Sequence, residues 1–425
     1  MIRLTYSYRI YPDIAQEARM LTWMEQCRCV YNYALLERRD WINSRKCQVN
    51  ACSITQEYII PADKPYPDYY KQQNALTLAK ESILELQDVQ SQVLQDALKR
   101  LDKAFRFMRE FAGGSLPQQH RLKERGFGFP RFKKFGQYRS FVFPQFKSNP
   151  VTGCQVKLPK IGAVPINLHR PIPDGFAVKQ VRVVKKASGW YAQLILQADI
   201  SIPDVQPHGE PIGIDVGLIK FLAVSTGKLV DRPKFFVELQ SKLQWLQRQL
   251  KNKVKGSSNY RKAQHKIRKL HEYIHNVRRE FHIQTAHQLC DDVGMIFAED
   301  LNLVALSRGM LAKHCLDAAW GSFLDILKWV AWKRGVYFAR VDARGTSQTC
   351  PGCGSHTGKK ELSERVHKCN ACNYETDRDV ASAQVVMQRG CVAVGQTVVL
   401  AVEEDYLGVP VKQQNPTARK GKPAL

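Results

Sequence analysis

The chain has 425 residues, of which 44% are hydrophobic, so roughly two to four domains with packed cores are expected. Lys and Arg number 64 against 39 Asp and Glu, and the net charge of +25 exceeds that of most soluble enzymes. This excess favours a nucleic-acid partner over the alternatives, a ribosomal or a membrane-surface protein. Neither a signal peptide nor an apolar run long enough to span a bilayer is evident, so we expect a cytoplasmic, nucleoid-associated prokaryotic protein.

Helical patterns dominate the N-terminal part of the chain. Residues 4–11 alternate as a short strand and stop at Pro12, and a helical pattern follows over residues 14–45. After a Pro-rich loop over residues 58–69, a second long helical region runs from residue 76 to residue 111, before two glycines. These helices predict one mainly α-helical module.

Cations alternate with aromatic residues in the loop over residues 121–134. Such a loop can follow a phosphate backbone with its cations while its aromatic rings stack on bases. The candidate contacts are Arg121, Lys123, Arg125, Arg131, Lys133 and Lys134. The alternative is an ordinary charged loop whose phenylalanines fill a neighbouring core.

Short β-strands fill residues 138–202, separated by Gly and Pro. They predict a small antiparallel barrel. The N-terminal strand is expected to complete this barrel, which makes the helical module an insertion between strands. Residues 203–211 are interpreted as a linker.

An α/β pattern begins at residue 211. Buried strands are predicted at residues 211–217, 295–298 and 335–341, a hairpin partner at residues 221–224, and a helix at residues 320–333. Residues 239–293 read as a very basic helical pair with a turn at residues 256–258, and four of its cations are candidate nucleic-acid contacts. They are Lys262, Lys266, Arg268 and Lys269. The polar tail beyond residue 403 is predicted to be disordered.

Four cysteines have the spacing of a structural zinc site. Cys350 and Cys353 form one Cys-x-x-Cys knuckle, and Cys369 and Cys372 form a second. Four thiolates can close tetrahedrally on one zinc ion and leave no open position for water, so we expect a structural role. The other cysteines lack a framework spacing, which favours free thiols in a reducing compartment. A second metal site at Cys27, Cys29, Cys47 and Cys52 is the weaker possibility.

Three acidic residues follow buried strands or begin a helix. Asp215 lies in Gly-Ile-Asp-Val-Gly, Glu299 ends the strand at residues 295–298, and Asp379 precedes a helical segment. If they converge, their oxygens can hold two Mg²⁺ or Mn²⁺ ions, one activating water and one stabilising a leaving 3′ oxygen. The alternatives are a turn cap for Asp215, a solvated strand end for Glu299, and helix caps for Asp377 and Asp379.

These motifs carry a family resemblance that covers nearly the whole chain. Gly213-Ile-Asp-Val-Gly217, Ala298-Glu-Asp-Leu-Asn302, the cysteine knuckles and Asp377-Arg-Asp-Val380 resemble the RuvC-type nuclease half of the TnpB (OrfB) proteins of insertion sequences. Those proteins are relatives of the type V CRISPR effectors. Residues 128–134 and 141–144 resemble segments ahead of that nuclease. The sequence departs from the family pattern at Ala381, where an Asn is usual.

The resemblance implies an RNA-guided DNA endonuclease with Asp215, Glu299 and Asp379 as its catalytic metal ligands. It implies a multidomain α+β fold with an OB-like wedge barrel, an inserted helical recognition module, an RNase H-like (RuvC) nuclease domain and a zinc ribbon. The corresponding segments are residues 1–12 with 135–203 for the barrel, 13–134 for the helical module, 204–345 with 376–398 for the nuclease, 346–375 for the zinc ribbon, and 399–425 for the tail.

The implied partners are a guide RNA from the transposon end and a double-stranded DNA target beside a short transposon-associated motif, in a monomeric ribonucleoprotein. Two other functions stay open. One is an RNA-guided DNA-binding protein that no longer cuts, which the missing Asn at Ala381 favours weakly. The other is a guide-independent, structure-selective nuclease of the Holliday-junction resolvase kind, which would not need the basic helical and barrel modules.

Overall fold

The computed structural model describes residues 2–45, 60–61, 63–111, 129–146, 148–200, 204–235, 237–306, 308–361 and 363–395. The predicted contacts Arg121, Lys123 and Arg125, the cysteines Cys47 and Cys52, and the C-terminal tail lie outside these residues. The chain forms two compact units, Met1–Pro203 with Lys253–Glu272 and Asp204–Asn252 with Tyr273–Leu425. Among the described residues, none of the helices combines the length and apolar character needed to cross a membrane.

Two antiparallel sheets lie in the first unit. The larger has the strand order β1-β7-β6-β2, and the smaller has the order β3-β4-β5. The strands are β1 (Ile2–Ile10), β2 (Ser140–Phe143), β3 (Val151–Thr152), β4 (Gln155–Leu158), β5 (Gly162–Pro165), β6 (Ala177–Lys185) and β7 (Trp190–Ala198). The N-terminal strand pairs with β7 over its whole length, from Ile2 opposite Ala198 to Ile10 opposite Trp190. The chain therefore returns to its first strand after the helical segment.

Four helices are described between β1 and β2 in the first unit. They are α1 (Ile14–Ser44), α2 (Tyr69–Ser82), α3 (Leu84–Asp88) and α4 (Ser91–Phe111). Asp13 starts α1 with a capping box, since its side chain accepts from the Gln16 N–H while the Gln16 side chain accepts from the Asp13 N–H. The Trp23 ring contacts Phe141 and Phe143 of β2, with centroids 5.7 and 6.1 Å away.

The long helical region predicted from residue 76 to residue 111 is interrupted twice. Ile83 adopts an extended conformation between α2 and α3, and Val89 does the same after α3. Val89 is fully buried, so the extended backbone at this point carries an apolar side chain into the core. Tertiary packing here overrides the local helical preference.

The second unit contains one mixed five-stranded sheet in the order β10-β9-β8-β11-β12. β8, β9 and β10 pair antiparallel, whereas β11 lies parallel to both β8 and β12. These strands are β8 (Pro211–Val216), β9 (Lys220–Val224), β10 (Leu229–Asp231), β11 (Met295–Glu299) and β12 (Tyr337–Val341); a hairpin of β13 (Val366–Lys368) and β14 (Glu375–Asp377) follows. β10 and this hairpin are strands that the sequence patterns did not predict.

Six further helices are described in the chain after residue 239. They are α5 (Gln240–Lys251), α6 (Ser258–Leu289), α7 (Leu303–Leu306), α8 (Ala312–Ala318), α9 (Trp320–Lys333) and α10 (Arg378–Ala393). α5 and α6 form the predicted basic helical pair, and α9 has the predicted bounds.

The central strand β11 is buried on both faces, which explains its unbroken apolar sequence. On one face, Ile296 and Ala298 join a core that includes Phe323 and Leu327 of α9. On the other face, Met295 and Phe297 pack with Val386 and Cys391 of α10. Helices thus cover both sides of the sheet.

Two glycines let α10 approach this sheet closely. A Cβ on Gly213 of β8 would lie 2.0 Å from the Ala383 carbonyl oxygen, and a Cβ on Gly390 would lie 2.1 Å from the Phe297 ring. No larger residue fits either position without moving backbone or a packed ring. Glycine at these positions therefore fixes where α10 begins relative to the end of β8.

Candidate active site and cysteine cluster

Strand register places Asp215 and Glu299 side by side. Ala298 of β11 lies opposite Ile214 of β8 in a parallel pair, and each acid is the next residue along its strand. Neighbouring strands lie about 4.8 Å apart. Because parallel strands end at the same edge of a sheet, both carboxylates stand at the carboxyl edge of the central strands.

The third acid, Asp379, lies in the first turn of α10. Asp377 caps this helix, with its Oδ1 accepting from the N–H groups of Asp379 and Val380 at 2.8 and 3.3 Å. The capping role thus belongs to Asp377. Asp379 Oδ2 lies 3.8 Å from the position of a Cβ on Gly217, just beyond β8. The carboxylate of Asp379 is therefore close to the strand end that carries Asp215.

Electrostatics indicate that the three acids share one environment. Burial raises the pKa of Asp215 well above its usual range, and the nearby carboxylates of Glu299 and Asp379 raise this pKa further. Burial also raises the pKa of Glu299 and of Asp379. Partly desolvated acids that repel one another are poor partners for stability and good ligands for a divalent cation.

The three acids are not gathered as tightly as the cysteines. Among the described residues, only the four cysteines form a set of His, Cys, Asp or Glu with ligand atoms all within 4.8 Å of one another. A wider arrangement suits two cations about 3.5–4 Å apart, because acids at opposite ends then bind different ions. The donor chemistry and the mutual repulsion both fit hard divalent cations.

Three residues near the acids were given no role by the sequence analysis. Thr346 Oγ1 donates to Glu299 Oε1 at 2.5 Å, and the charge of Arg389 lowers the pKa of Glu299 against the effect of burial. Arg378 lowers the pKa of Asp215 and of Asp379. Arg378 lies within the Asp377-Arg-Asp motif and the other two outside the motifs, and only the tertiary fold shows which acid each affects.

The predicted zinc ligands come together in the second unit. The Sγ atoms of Cys350 and Cys372 lie 3.6 Å apart, as do those of Cys353 and Cys369. A tetrahedral zinc with Zn–S bonds of roughly 2.3 Å requires S–S distances of about 3.8 Å. The cluster therefore fits zinc.

Both knuckles have the same backbone geometry. Gly354 N donates to Cys350 O, and Asn373 N donates to Cys369 O, each at 2.9 Å. Gly354 and Asn373 both adopt a left-handed conformation, with φ of 73° and 57°. Glycine and asparagine are the residues that tolerate this conformation best.

The polar surroundings of the cysteines differ from one thiol to the next. Ser355 Oγ lies 3.0 Å from Cys353 Sγ and 3.3 Å from Cys369 Sγ. This hydroxyl and nearby backbone N–H groups lower the pKa of Cys369 to about 6. Burial and the other thiols raise the pKa of Cys372 to about 12. A cation held here would need all four thiols deprotonated.

The cation-rich loop has a mixed role. Phe129 packs edge-to-face on Phe105, with centroids 5.3 Å apart, so here the alternative of a core-filling phenylalanine holds. The backbone of Lys133 is fixed by Arg28 and Asn32 of α1. Arg131 and Lys134 are exposed.

The basic residues predicted on the helical pair lie on the first half of α6, within the first unit. Lys262, Lys266 and Lys269 are exposed, and Arg268 is partly buried. Burial and the charge of Arg139 lower the pKa of Arg268. The positive charges of these two side chains act on each other and favour an anion beside them.

Comparison with known proteins supports the motif-based resemblance. A family model described as "Probable transposase" (OrfB_IS605) matches residues 191–309, a "Cas12f1-like, TNB domain" matches residues 320–386, and an OrfB "Helix-turn-helix domain" matches residues 1–47. Over the described part of that last segment, residues 2–45, the structure has a strand and one long helix, β1 and α1.

Two curated relatives match nearly the full length. The "Putative RNA-guided DNA endonuclease InsQ" of Escherichia coli (strain K12) is 28% identical over 96% of both chains. A "Putative RNA-guided DNA endonuclease" of Streptomyces pristinaespiralis is 27% identical over 92% of this chain and 90% of the relative.

A solved Cas12f1–sgRNA–target DNA complex has a similar fold. The match covers 89% of this chain and 83% of that chain, with a TM-score of 0.50 and 15% identity. The three family matches, the two full-length relatives and this likeness of fold agree with the motifs around Asp215, Glu299, Cys350 and Asp379. The chain is thus similar to the TnpB (OrfB) proteins of insertion sequences, in separate matched segments and over nearly its full length.

Proposed function

We propose that this protein is an RNA-guided DNA endonuclease. It hydrolyses DNA phosphodiester bonds at a site formed by Asp215, Glu299 and Asp379. The observation that carries the proposal is the convergence of these acids. Asp215 and Glu299 directly follow the paired residues Ile214 and Ala298, and Asp379 Oδ2 lies 3.8 Å from the position of a Cβ on Gly217. The names of both full-length relatives support the same activity.

Each acid has a distinct part in the proposed site. The pKa of Asp215 is raised by both other carboxylates, and Asp215 would hold the cations together with them. Glu299 is oriented by a hydroxyl and Asp379 by the start of α10. Bound Mg²⁺ or Mn²⁺ supplies an activated water and stabilises the leaving 3′ oxygen.

The architecture supports the same conclusion. An antiparallel trio of strands followed by two parallel strands, with helices on both faces, suits an RNase H-like (RuvC) domain. We propose that the two antiparallel sheets of the first unit form the wedge barrel, and that α1 to α4 form the recognition module. The predicted segment boundaries are retained in this proposal, with residues 346–375 as the zinc ribbon.

The first unit offers a surface for the guide RNA. Lys134 and Gln137 close a tight turn through two 3.0 Å hydrogen bonds, and Phe135 stands at its tip with 79% of its surface exposed. Arg139 donates to the Gly136 carbonyl beneath this turn. An exposed ring among cations is suited to stacking on an unpaired base. We propose that a single-stranded segment of the guide RNA binds here.

This surface can be tested with the full chain and its copurified RNA. Phe135→Ala should weaken RNA binding by about 1–3 kcal/mol with the salt dependence unchanged, whereas Arg139→Ala should reduce the salt slope by about one. Tyr70→Ala removes an aromatic ring that is 74% exposed on α2 and serves as the control. If Phe135→Ala and Tyr70→Ala bind RNA equally well, the stacking surface is wrong. If Phe135→Ala weakens the binding of single-stranded DNA and leaves RNA binding unchanged, the partner of this surface is DNA.

A cleavage assay, together with a test for copurifying RNA, distinguishes the proposed function from its alternatives. Wild type with its RNA should cut matching duplex DNA in Mg²⁺, and Asp215→Ala should cut at least about 100-fold more slowly. A protein that binds RNA and DNA without cutting is the binding-only alternative. Cutting of branched DNA without RNA is the resolvase-like alternative. Equal cutting by wild type and Asp215→Ala rules out the catalytic site proposed here.

A further inference from the structure

We propose that Thr346 is a positioning residue that sets the orientation of the Glu299 carboxylate toward a divalent cation. This inference rests on the proposed function of the acidic site. No sequence motif assigns a role to Thr346, which lies four residues before the first zinc-ligand cysteine.

The contact between the two side chains is short and buried. Thr346 is 5% exposed and Glu299 is 8% exposed, and the hydroxyl donates to Oε1 at 2.5 Å. The same hydroxyl lies 3.2 Å from the Ala343 carbonyl oxygen. A threonine hydroxyl has one proton, and the carboxylate, at the shorter distance, is the stronger acceptor. A fixed bond to Oε1 also fixes the direction in which Oε2 faces.

The turn that carries Thr346 is held from the side of α10. Arg389 of α10 donates from Nη1 to the carbonyl oxygens of Asp342 and Arg344, each at 2.8 Å. Gly345 follows with a left-handed φ of 69°, which turns the chain so that Thr346 begins a short 3₁₀ segment. Since α10 also carries Asp379, one helix fixes two of the three acids, one directly and one through this turn.

The same turn is held from the side of the cysteine cluster. Thr357 N donates to Gln348 O at 2.7 Å, and Thr349 pairs with His356 in an isolated bridge around the first knuckle. Thr349 Oγ1 donates back to Gly345 O at 2.9 Å. Both ends of the turn that carries Thr346 are therefore fixed. Because the Thr346 hydroxyl is already in place, little conformational entropy is lost when Glu299 binds a cation.

Metal binding and cleavage together test the role of Thr346. Thr346→Val keeps the side-chain shape and loses the hydroxyl, whereas Thr346→Ser keeps the hydroxyl. In the full chain with its RNA, Thr346→Val should weaken Mn²⁺ binding, measured by electron paramagnetic resonance, and slow cleavage by about 10- to 100-fold each. Thr346→Ser should return both to within about three-fold of wild type, and RNA binding should not change.

The controls separate this inference from the proposed function. If Glu299→Gln is inactive while Thr346→Val binds Mn²⁺ and cuts like wild type, Thr346 has no positioning role and the catalytic site stands. If Thr346→Ser is as defective as Thr346→Val and both melt earlier than wild type, Thr346 is only structural and the inference is wrong. If Glu299→Gln itself cuts normally, the proposed function fails.

Discussion

The four clustered cysteines lie within residues 350–372, whereas the three acids of the acidic site are far apart in the sequence, at residues 215, 299 and 379. Two local turns are enough to bring the thiols within 4.8 Å. The acids meet only because β8, β11 and α10 pack together around Gly213. The first site is therefore encoded by spacing and the second by the whole α/β sheet.

The two sites also differ in what they do for stability. Zinc bound to four thiolates contributes folding free energy directly. The acids repel one another in a partly desolvated place, so without a cation they cost stability. The cysteine cluster is expected to stabilise the fold when zinc is bound, whereas the acidic site depends on the rest of the fold to hold its acids together.

The largest expected effect comes from breaking the cysteine cluster. Cys369→Ser should lose the zinc and much of the stability of the hairpin, because structural zinc sites bind with apparent free energies of about 10–16 kcal/mol in small domains. Metal analysis and thermal unfolding measure both effects. Cys391→Ser, at a buried cysteine outside the cluster, is the control for losing a thiol. Unchanged zinc content in Cys369→Ser would contradict the ligand assignment.

A second change separates the packing from the ligands. Gly213→Ala should push α10 away from β8, because its Cβ would lie 2.0 Å from a backbone oxygen. A destabilisation of about 1–3 kcal/mol or more and a loss of cleavage are expected. Zinc content should not change. Gly309→Ala, where the nearest atom is 3.9 Å away, is the control, and equal behaviour of the two variants would refute the close-packing account.

The smallest expected effect is a gain in stability. Because the pKa of Asp215 is raised in the folded state, its proton is held more tightly there than in the unfolded chain. Metal-free stability should therefore fall as pH rises from about 4 through the folded pKa, by about 1.4 kcal/mol for each pH unit in that interval. Asp215→Asn should reduce this slope, leaving the part that Glu299 and Asp379 contribute, and should melt later than wild type in EDTA at neutral pH. A lower melting temperature for the variant would contradict the repulsion described above.

The sequence correctly predicted those helices and strands whose burial in the structure follows their own hydrophobic pattern. The bounds of α9 matched because its buried residues recur at helical spacing, and the four cysteines lie together as predicted because they are close in sequence. The break at Val89 was missed because its side chain is buried in the core, which the local pattern does not show; nothing in the structure explains the break at Ile83, which is exposed. Phe129 and Phe135 have the same sequence context and opposite exposure, which only the tertiary fold decides.

Within the acidic site, the acids could be picked out from the sequence, but the residues that contact them could not. An acid in an apolar strand is costly without a partner, so Asp215 and Glu299 stood out in the sequence. Thr346 and Arg389 belong to none of the quoted motifs. Their contacts form only where the loop after β12 folds back onto α10.

A count of both kinds of metal in one preparation tests the central claim, that the three acids together bind hard cations beside a separate zinc cluster. Wild type with its RNA should contain one zinc and bind about two Mn²⁺ per chain. Asp215→Asn should keep the zinc and lose Mn²⁺ binding, as seen by metal analysis and electron paramagnetic resonance. If Asp215→Asn binds Mn²⁺ as wild type does, the acids do not form this site.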